Sequence, residues 1–264
     1  MRLELDDLQI NNYKIYQDRD AFCFGIDSVL LANFFLRNIN TLNDNIKVCD
    51  LCSGNIIIPL IIYAKRNKFN LSNVKISTFE IDKDQTEISK KSIDYNKKND
   101  NDIDKNIIIY NDDIKNIFLD KEKYKKLYNS FDCITVNPPY IKVDAGVTHD
   151  NTKMNIAKHE ISINLEDIIK VSSLILKSNK KLFMVHKTER LVEINNILEN
   201  YGFKIKYLKF IHPNINKSSN LVLIMAVKGG KDGIKVSNPL VVFDENNNYT
   251  KDIKNIYGDL EEYN

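Results

Sequence analysis

Apolar and polar positions change their period several times along the chain. Residues 3–16 alternate loosely, which predicts a pair of short strands. The next segment, FGIDSVLLANFFL (24–36), spaces its apolar residues at helical intervals and has Asp27 where an N-cap belongs. A regular rhythm begins at residue 46. The run IKVCDL (46–51) reads as a strand and IIPLIIYAKR (57–66) as a helix. VKISTFEI (74–81) is a second strand, and KDQTEISKKSIDYN (83–96) an amphipathic helix that Asp82 would cap. NIIIY (106–110) with IKNIFLDKEKYKKL (114–127), and FDCITVN (131–137) with LEDIIKVSSLIL (165–176), repeat the alternation. KLFMVH (181–186) and TERLVEINNILEN (188–200) follow. The series closes on two strands, FKIKYLKFI (203–211) and NLVLIMAV (220–227), with a short loop between them.

Strands that alternate with helices pair in parallel through crossovers, so this order predicts an α/β fold built on a doubly wound, mostly parallel seven-stranded sheet. The last two strands break the rhythm and predict a C-terminal antiparallel hairpin. A single domain is expected: an N-terminal strand pair and helix over 1–45, a core over 46–228 and a C-terminal extension over 229–264. In that extension, residues 238–258 read as a strand, a turn and a short helix.

A hydrophobic content of 43% and a charged content of 28% are those of a soluble globular protein. No charged-then-apolar signal pattern and no apolar run of bilayer length is present, so a cytoplasmic protein with no membrane partner is expected. The net charge of +2 does not by itself argue for nucleic acid. Lysines cluster at 121–126, 177–181 and 204–209, but lysine is abundant throughout and a wet surface is the simpler reading. Cys49 and Cys52 form a C-x-x-C with neither a second pair nor a His pair at ligand spacing. They read as small buried residues, and no metal is expected.

Open α/β sheets bind ligands beyond the carboxyl ends of their strands. There the first core strand ends in DLCSGN (50–55), a small-residue turn at a helix N-terminus that lets backbone amides approach a ligand. The second strand ends on Glu80, placed to take two ribose hydroxyls. The third ends on Asp112 and Asp113, within reach of an adenine edge. Taken alone, each acid is as well explained by a helix cap or a surface charge. Three in register are harder to dismiss.

The fourth strand ends in CITVNPPYI (133–141). Its prolines remove two N–H donors and stiffen the backbone, so that the Asn137 side-chain carbonyl and the Pro138 backbone carbonyl are held as paired acceptors. Two acceptors converging on one point suit a planar –NH₂ group, and Tyr140 could stack on the ring that bears it. An adenine amine is a poor nucleophile because its lone pair is delocalised into the ring. Carbonyls that take both its hydrogens favour the geometry in which the lone pair is free to attack an activated methyl group. No strong base is needed, since the nitrogen becomes acidic once methylated.

At these residues the chain resembles class I S-adenosylmethionine-dependent methyltransferases with an Asn-Pro-Pro-Tyr motif. It is most similar to the bacterial family that N6-methylates adenine 37 of valine tRNA. The resemblance spans nearly the whole chain, through FCFGIDSVLLA, DLCSG, VNPPY, AKHE, MVHKTER, FIHP, VKGGKDGIKVSNPLVVFDENNNYT and IYG. The motif alone is shared with DNA adenine, protein glutamine and ribosomal RNA methyltransferases. The resemblance implies a Rossmann-like class I methyltransferase fold with S-adenosylmethionine as cofactor. It implies Asp50, Ser53 and Gly54 at the cofactor turn, Glu80 on the ribose, Asp113 with Asp112 at the adenine, and Phe24, Gly25 and Asp27 against the cofactor. A helix cap accounts for Asp27 equally well. Asn137, Pro138 and Tyr140 would hold the target amine and ring. His159 and Glu160 would end a loop over the base, and Lys142, Lys153 and Lys158 would track phosphates of a tRNA anticodon loop, whose unpaired bases splay out at modest cost. A monomer is expected.

One position departs from the family. Ile56 stands where a glycine is usual, and a β-branched residue does not comfortably adopt φ > 0. Either cofactor binding is weakened or the helix starts one residue earlier. Two alternatives accompany the tRNA reading. One keeps the same chemistry on a protein glutamine, disfavoured because such enzymes carry an N-terminal helical domain, or on another nucleic-acid amine. The other is a non-catalytic RNA-binding factor on the same fold, supported only by Ile56.

Overall fold

The computed structural model describes residues 2–20, 23–39, 45–140 and 164–257. The loose alternation at the start folds into strands β1 (Leu3–Asp7) and β2 (Lys14–Asp18), paired antiparallel. The outer edge of β2 does not stay bare. Backbone amides of Lys14 and Tyr16 donate to Asn96 Oδ1 and Ser92 Oγ at 2.9 Å each, on helix α3 (Lys83–Asn96). Side chains thus satisfy an edge that would otherwise invite strand addition.

Helix α1 (Ile26–Asn38) follows, then the alternation of β3 (Lys47–Leu51), α2 (Ile57–Lys65), β4 (Lys75–Glu80), α3 and β5 (Ile107–Asn111). Strand β6 (Phe131–Val136) is buried along its whole length. The helix Leu165–Ile175 leads into β7 (Leu176–Lys187), and the helix Leu191–Asn200 into the pair β8 (Phe203–Asn214) and β9 (Leu221–Lys228). Across the sheet the order is β5, β4, β3, β6, β7, β9, β8. β5 to β7 are parallel, and β9 runs antiparallel to both its neighbours. Both faces are covered, as in other parallel sheets. Val48, Cys133 and Phe183 join the layer of α1 and α2, whereas their chain neighbours Cys49, Ile134 and Met184 join the layer of Leu165–Ile175 and Leu191–Asn200.

Three features differ from the sequence reading. The sheet has nine strands rather than seven among the described residues, because β10 (Lys235–Val236) and β11 (Leu240–Phe243) add parallel to the edge of β8. Residues 114–127 form short helical pieces, interrupted where Asp120 caps a new turn by accepting from the Lys123 amide at 3.2 Å. Asp27 is not the N-cap of α1. Gly25 holds that position in extended backbone, and the helix begins at Ile26. Asp82, by contrast, caps α3, accepting from the amides of Asp84 and Gln85 at 2.8 and 3.2 Å.

Candidate active site

The carboxyl ends of β3, β4, β5 and β6 gather the residues singled out above. Asp50 ends almost wholly buried, 1% exposed, because β3 lies between β4 and β6. Burial pushes its carboxyl up to about 8; a hydrogen bond from Thr135 opposes the rise and the charge of Glu80 adds to it. The turn that follows winds through left-handed backbone at Cys52, Gly54 and Ile56, with φ of 57°, 51° and 61°. Its open side is at Gly54, where an added Cβ would meet nothing within 4 Å. The Gly54 amide donates to Glu80 Oε2 and the Asp82 amide to Oε1, both at 2.8 Å. Ser53 is buried, its amide donating to Phe79 O at 3.1 Å. Turn and strand end are therefore one hydrogen-bonded unit.

Helix α2 does not start early to spare Ile56. Ile56 takes the left-handed conformation at the N-cap, and its side chain is fully buried in the layer of α1 and α2. The side chain thus packs into the core.

The two acids after β5 differ. Asp112 is held by Asn116 Nδ2 at 2.6 Å, Lys123 Nζ at 3.0 Å and the Tyr124 hydroxyl. Partial burial alone would raise its pKa, but these bonds outweigh burial and lower it. Asp113 accepts from the Lys115 amide at 2.9 Å. Beside Glu80, Ile81 is 41% exposed, an apolar surface at the ligand end that sequence reasoning passed over.

At the end of β6 four side chains interlock. Asn137 Nδ2 donates to Asp27 Oδ2 at 3.1 Å and to Ser28 Oγ at 2.9 Å. The Tyr140 hydroxyl lies 2.8 Å from Asp27 Oδ2 and 2.5 Å from Asn137 Oδ1. Having one hydrogen, it donates to one of the two. Burial, reinforced by the charge of Asp27, raises the Tyr140 pKa well above its ordinary value. Pro138 is buried. The ring of Tyr140 meets the His186 ring edge-on at 5.3 Å, with Lys187 Nζ 5.3 Å from its centroid. Burial and the nearby Arg190 push His186 down to about 4, and its Nδ1 accepts from the Lys187 amide at 2.8 Å, so it is a neutral packing partner. Gly25 adjoins this cluster, whereas Phe24 is tied to β2. The Phe24 amide donates to Gln17 Oε1 at 3.1 Å, and a Cβ on Gly25 would stand 2.6 Å from Asp27 Oδ1. Nothing in the sequence assigns a role to Thr135, His186 or Lys187, although the last two lie in the MVHKTER segment of the resemblance, because only strand register brings them here. From the sequence Asp27 reads as a helix cap or a cofactor neighbour, and its bonds to Asn137 and Tyr140 are not foreseen.

Lys142, Lys153, Lys158, His159 and Glu160 lie outside the described residues. Several clustered lysines serve the fold: Lys177 and Lys180 pair with Asp132, Lys204 with Glu199 and Asp232, and Lys181 donates to the carbonyls of Asn38 and Ile39. Burial pushes the Cys133 thiol up to about 12 and Cys49 well above its ordinary value, as expected of packing residues. Among the described residues no group of three His, Cys, Asp or Glu side chains could hold a metal ion, and no helix is long and apolar enough to cross a membrane.

Solved structures share this architecture. A predicted O-methyltransferase of Agrobacterium tumefaciens superposes with a TM-score of 0.65 at 17% identity, covering 88% of this chain and 95% of its own. The fold is a Rossmann-like methyltransferase fold. TYW2 of P. horikoshii, in complex with MeSAdo, gives a TM-score of 0.54 at 14% identity, with coverage of 86% and 72%. Geranyl diphosphate C-methyltransferase of Streptomyces coelicolor A3(2), in complex with Mg²⁺, geranyl diphosphate and S-adenosyl-L-homocysteine, gives 0.51 at 10%, with coverage of 75% and 78%. No family model and no curated protein matches the chain. One neighbour is named for oxygen and another for carbon, so the methyltransferase fold leaves the acceptor atom open.

Proposed function

We propose that this protein transfers the methyl group of S-adenosylmethionine to the exocyclic N6 amine of an unpaired adenine in RNA, with adenine 37 of valine tRNA the specific target suggested by the sequence resemblance. The observation that carries the reading is the Asn137 amide: its nitrogen is anchored on Asp27 and Ser28, which leaves its carbonyl as a directed acceptor at the ligand end of the sheet.

The residues at the turn fit the cofactor. Gly54 has open space on its Cβ side, Asp50 Oδ2 is a buried oxygen with no hydrogen-bond partner, and Glu80 is clamped by two amides at the strand end. Asp50, Ser53 and Gly54 would hold the amino-acid portion, Glu80 the ribose, and Ile81 with Asp113 the adenine. Phe24 and Gly25 would border it. Bound there, the cofactor supplies an electrophilic methyl group.

The rest is this chain's own work. Asn137 Oδ1 and the Pro138 carbonyl would accept the two amine hydrogens and free the lone pair for in-line attack. The Tyr140 hydroxyl can turn wholly to Asp27 when the amine takes its place on Asn137. Its ring, buttressed by His186 and Lys187, would stack on the base. The spent amine proton leaves to water.

The test is transfer of a labelled methyl group to valine tRNA, with DNA and a glutamine-bearing protein as parallel acceptors and Asn137→Ala as control. N6-methyladenosine at one anticodon-loop position, lost in the variant, is expected. Transfer to the protein instead, or to no acceptor, would overturn the reading.

A further inference from the structure

We propose that Asp27 is a positioning residue whose carboxylate fixes the sense of the Asn137 side-chain amide, so that oxygen and not nitrogen faces the incoming amine. An asparagine amide has two ends of similar shape, and a half-turn about its last bond exchanges donor for acceptor. Tyr140 does not decide between them, because a hydroxyl can donate to Oδ1 or accept from Nδ2 with the same ease. Ser28 Oγ, 2.9 Å from Nδ2, is equally ambivalent. A carboxylate only accepts. Asp27 Oδ2, 3.1 Å from Nδ2, therefore admits one orientation, and the other would set a carbonyl oxygen against a carboxylate oxygen.

The carboxylate is itself held. Asp27 Oδ1 accepts from the Ser28 amide at 3.0 Å, and Gly25 leaves the room it occupies, since a Cβ there would come to 2.6 Å. Asp27 is 9% exposed, so little water competes for Oδ2. One oxygen is spent on the start of α1 and the other on the end of β6, 110 residues away in the chain. This goes beyond a cofactor contact or a helix cap, and it rests on the functional reading only in assigning an amine to Asn137.

Exchange of the two side chains tests it. Asp27→Asn alone makes the amide sense ambiguous, and Asn137→Asp alone sets two carboxylates face to face. Made together they restore one donor and one carboxylate in reversed order, with an acceptor oxygen still facing the amine. With RNA as acceptor, each single change should lower kcat by at least about tenfold, and the exchanged pair should return to within about fivefold of the wild type, a non-additivity expected only of residues that act as a unit. A loss in the pair equal to the product of the single losses would overturn the proposal.

A second measurement needs no acceptor. In nitrogen-15 spectra of the full chain, the Asn137 side-chain NH₂ signals should shift in Asp27→Ala, with solvent exchange about tenfold faster or more. Unchanged shift and exchange in folded Asp27→Ala protein would likewise overturn it. If the wild type methylates no acceptor, the functional reading fails while the amide spectra still decide the role of Asp27.

Discussion

Thr135 donates its hydroxyl hydrogen to Oδ1 of Asp50, its partner in register across β6 and β3, while Oδ2 of the same carboxylate is buried with no hydrogen-bond partner. One bond is too little to keep a carboxylate charged in such a place, which is why its pKa stands at about 8 against an ordinary 3.8.

Because the folded value lies above the unfolded one, the folded chain binds more protons over that interval. The stability this group contributes is complete below about pH 4 and is lost as pH rises toward about 8. Asp50→Asn keeps the acceptor for Thr135 and removes the titration. Its melting temperature relative to the wild type should climb between pH 5 and pH 8. Thermal melts that stay parallel across the range would contradict this.

Ile56 sets two effects against each other. Relief of left-handed backbone in Ile56→Gly is worth roughly 1–2 kcal/mol, but removal of a fully buried isoleucine side chain costs about 2–5 kcal/mol. The cavity wins. Ile56→Gly should melt lower, with cofactor affinity by calorimetry unchanged within a few-fold. A gain in stability or a tenfold gain in affinity would show that the isoleucine obstructs the turn.

Gly25→Ala places a methyl group on the Asp27 carboxylate. The carboxylate must move, and with it the Asn137 amide. Initial rates of methyl transfer should fall by about tenfold or more, since misplacement on the scale of an ångström can cost a hundredfold. The melting temperature should drop by only a few degrees. Wild-type rates would mean that the carboxylate has freedom the geometry does not suggest.

Tyr140 separates into ring and hydroxyl. Tyr140→Phe loses a partly buried hydrogen bond, about 1 kcal/mol in a denaturant titration, but keeps transfer within about tenfold of the wild type because the stacking surface remains. Tyr140→Ala removes that surface and should raise KM for RNA by about tenfold or more. Equal kinetics for the two variants would take Tyr140 out of base stacking.

Most of the architecture was legible because it rests on local periodicity. Buried strands such as 131–137 and amphipathic helices such as 83–96 declare themselves over a few residues, and their alternation implies the crossovers. The short β10 was not countable in advance, since a two-residue strand exists only through its partner β8; β11 reads as a strand in the sequence, but not as a member of this sheet. Residues 114–127 had helical composition, but Asp120 within them found a better use as a cap.

The sequence by itself determined the order of elements and the strand ends at which Asp50, Glu80, Asp113 and Asn137 fall, because each of these depends on neighbours along the chain. Only the tertiary structure decided how those residues are used. It engaged Asp112 with Lys123 and Tyr124, buried Ile56 in the core, left Asp50 half satisfied beside Thr135, and joined Asp27 to Asn137. Such pairings depend on sheet register and on which side chains exclude water, and these are properties of the packed molecule rather than of any segment.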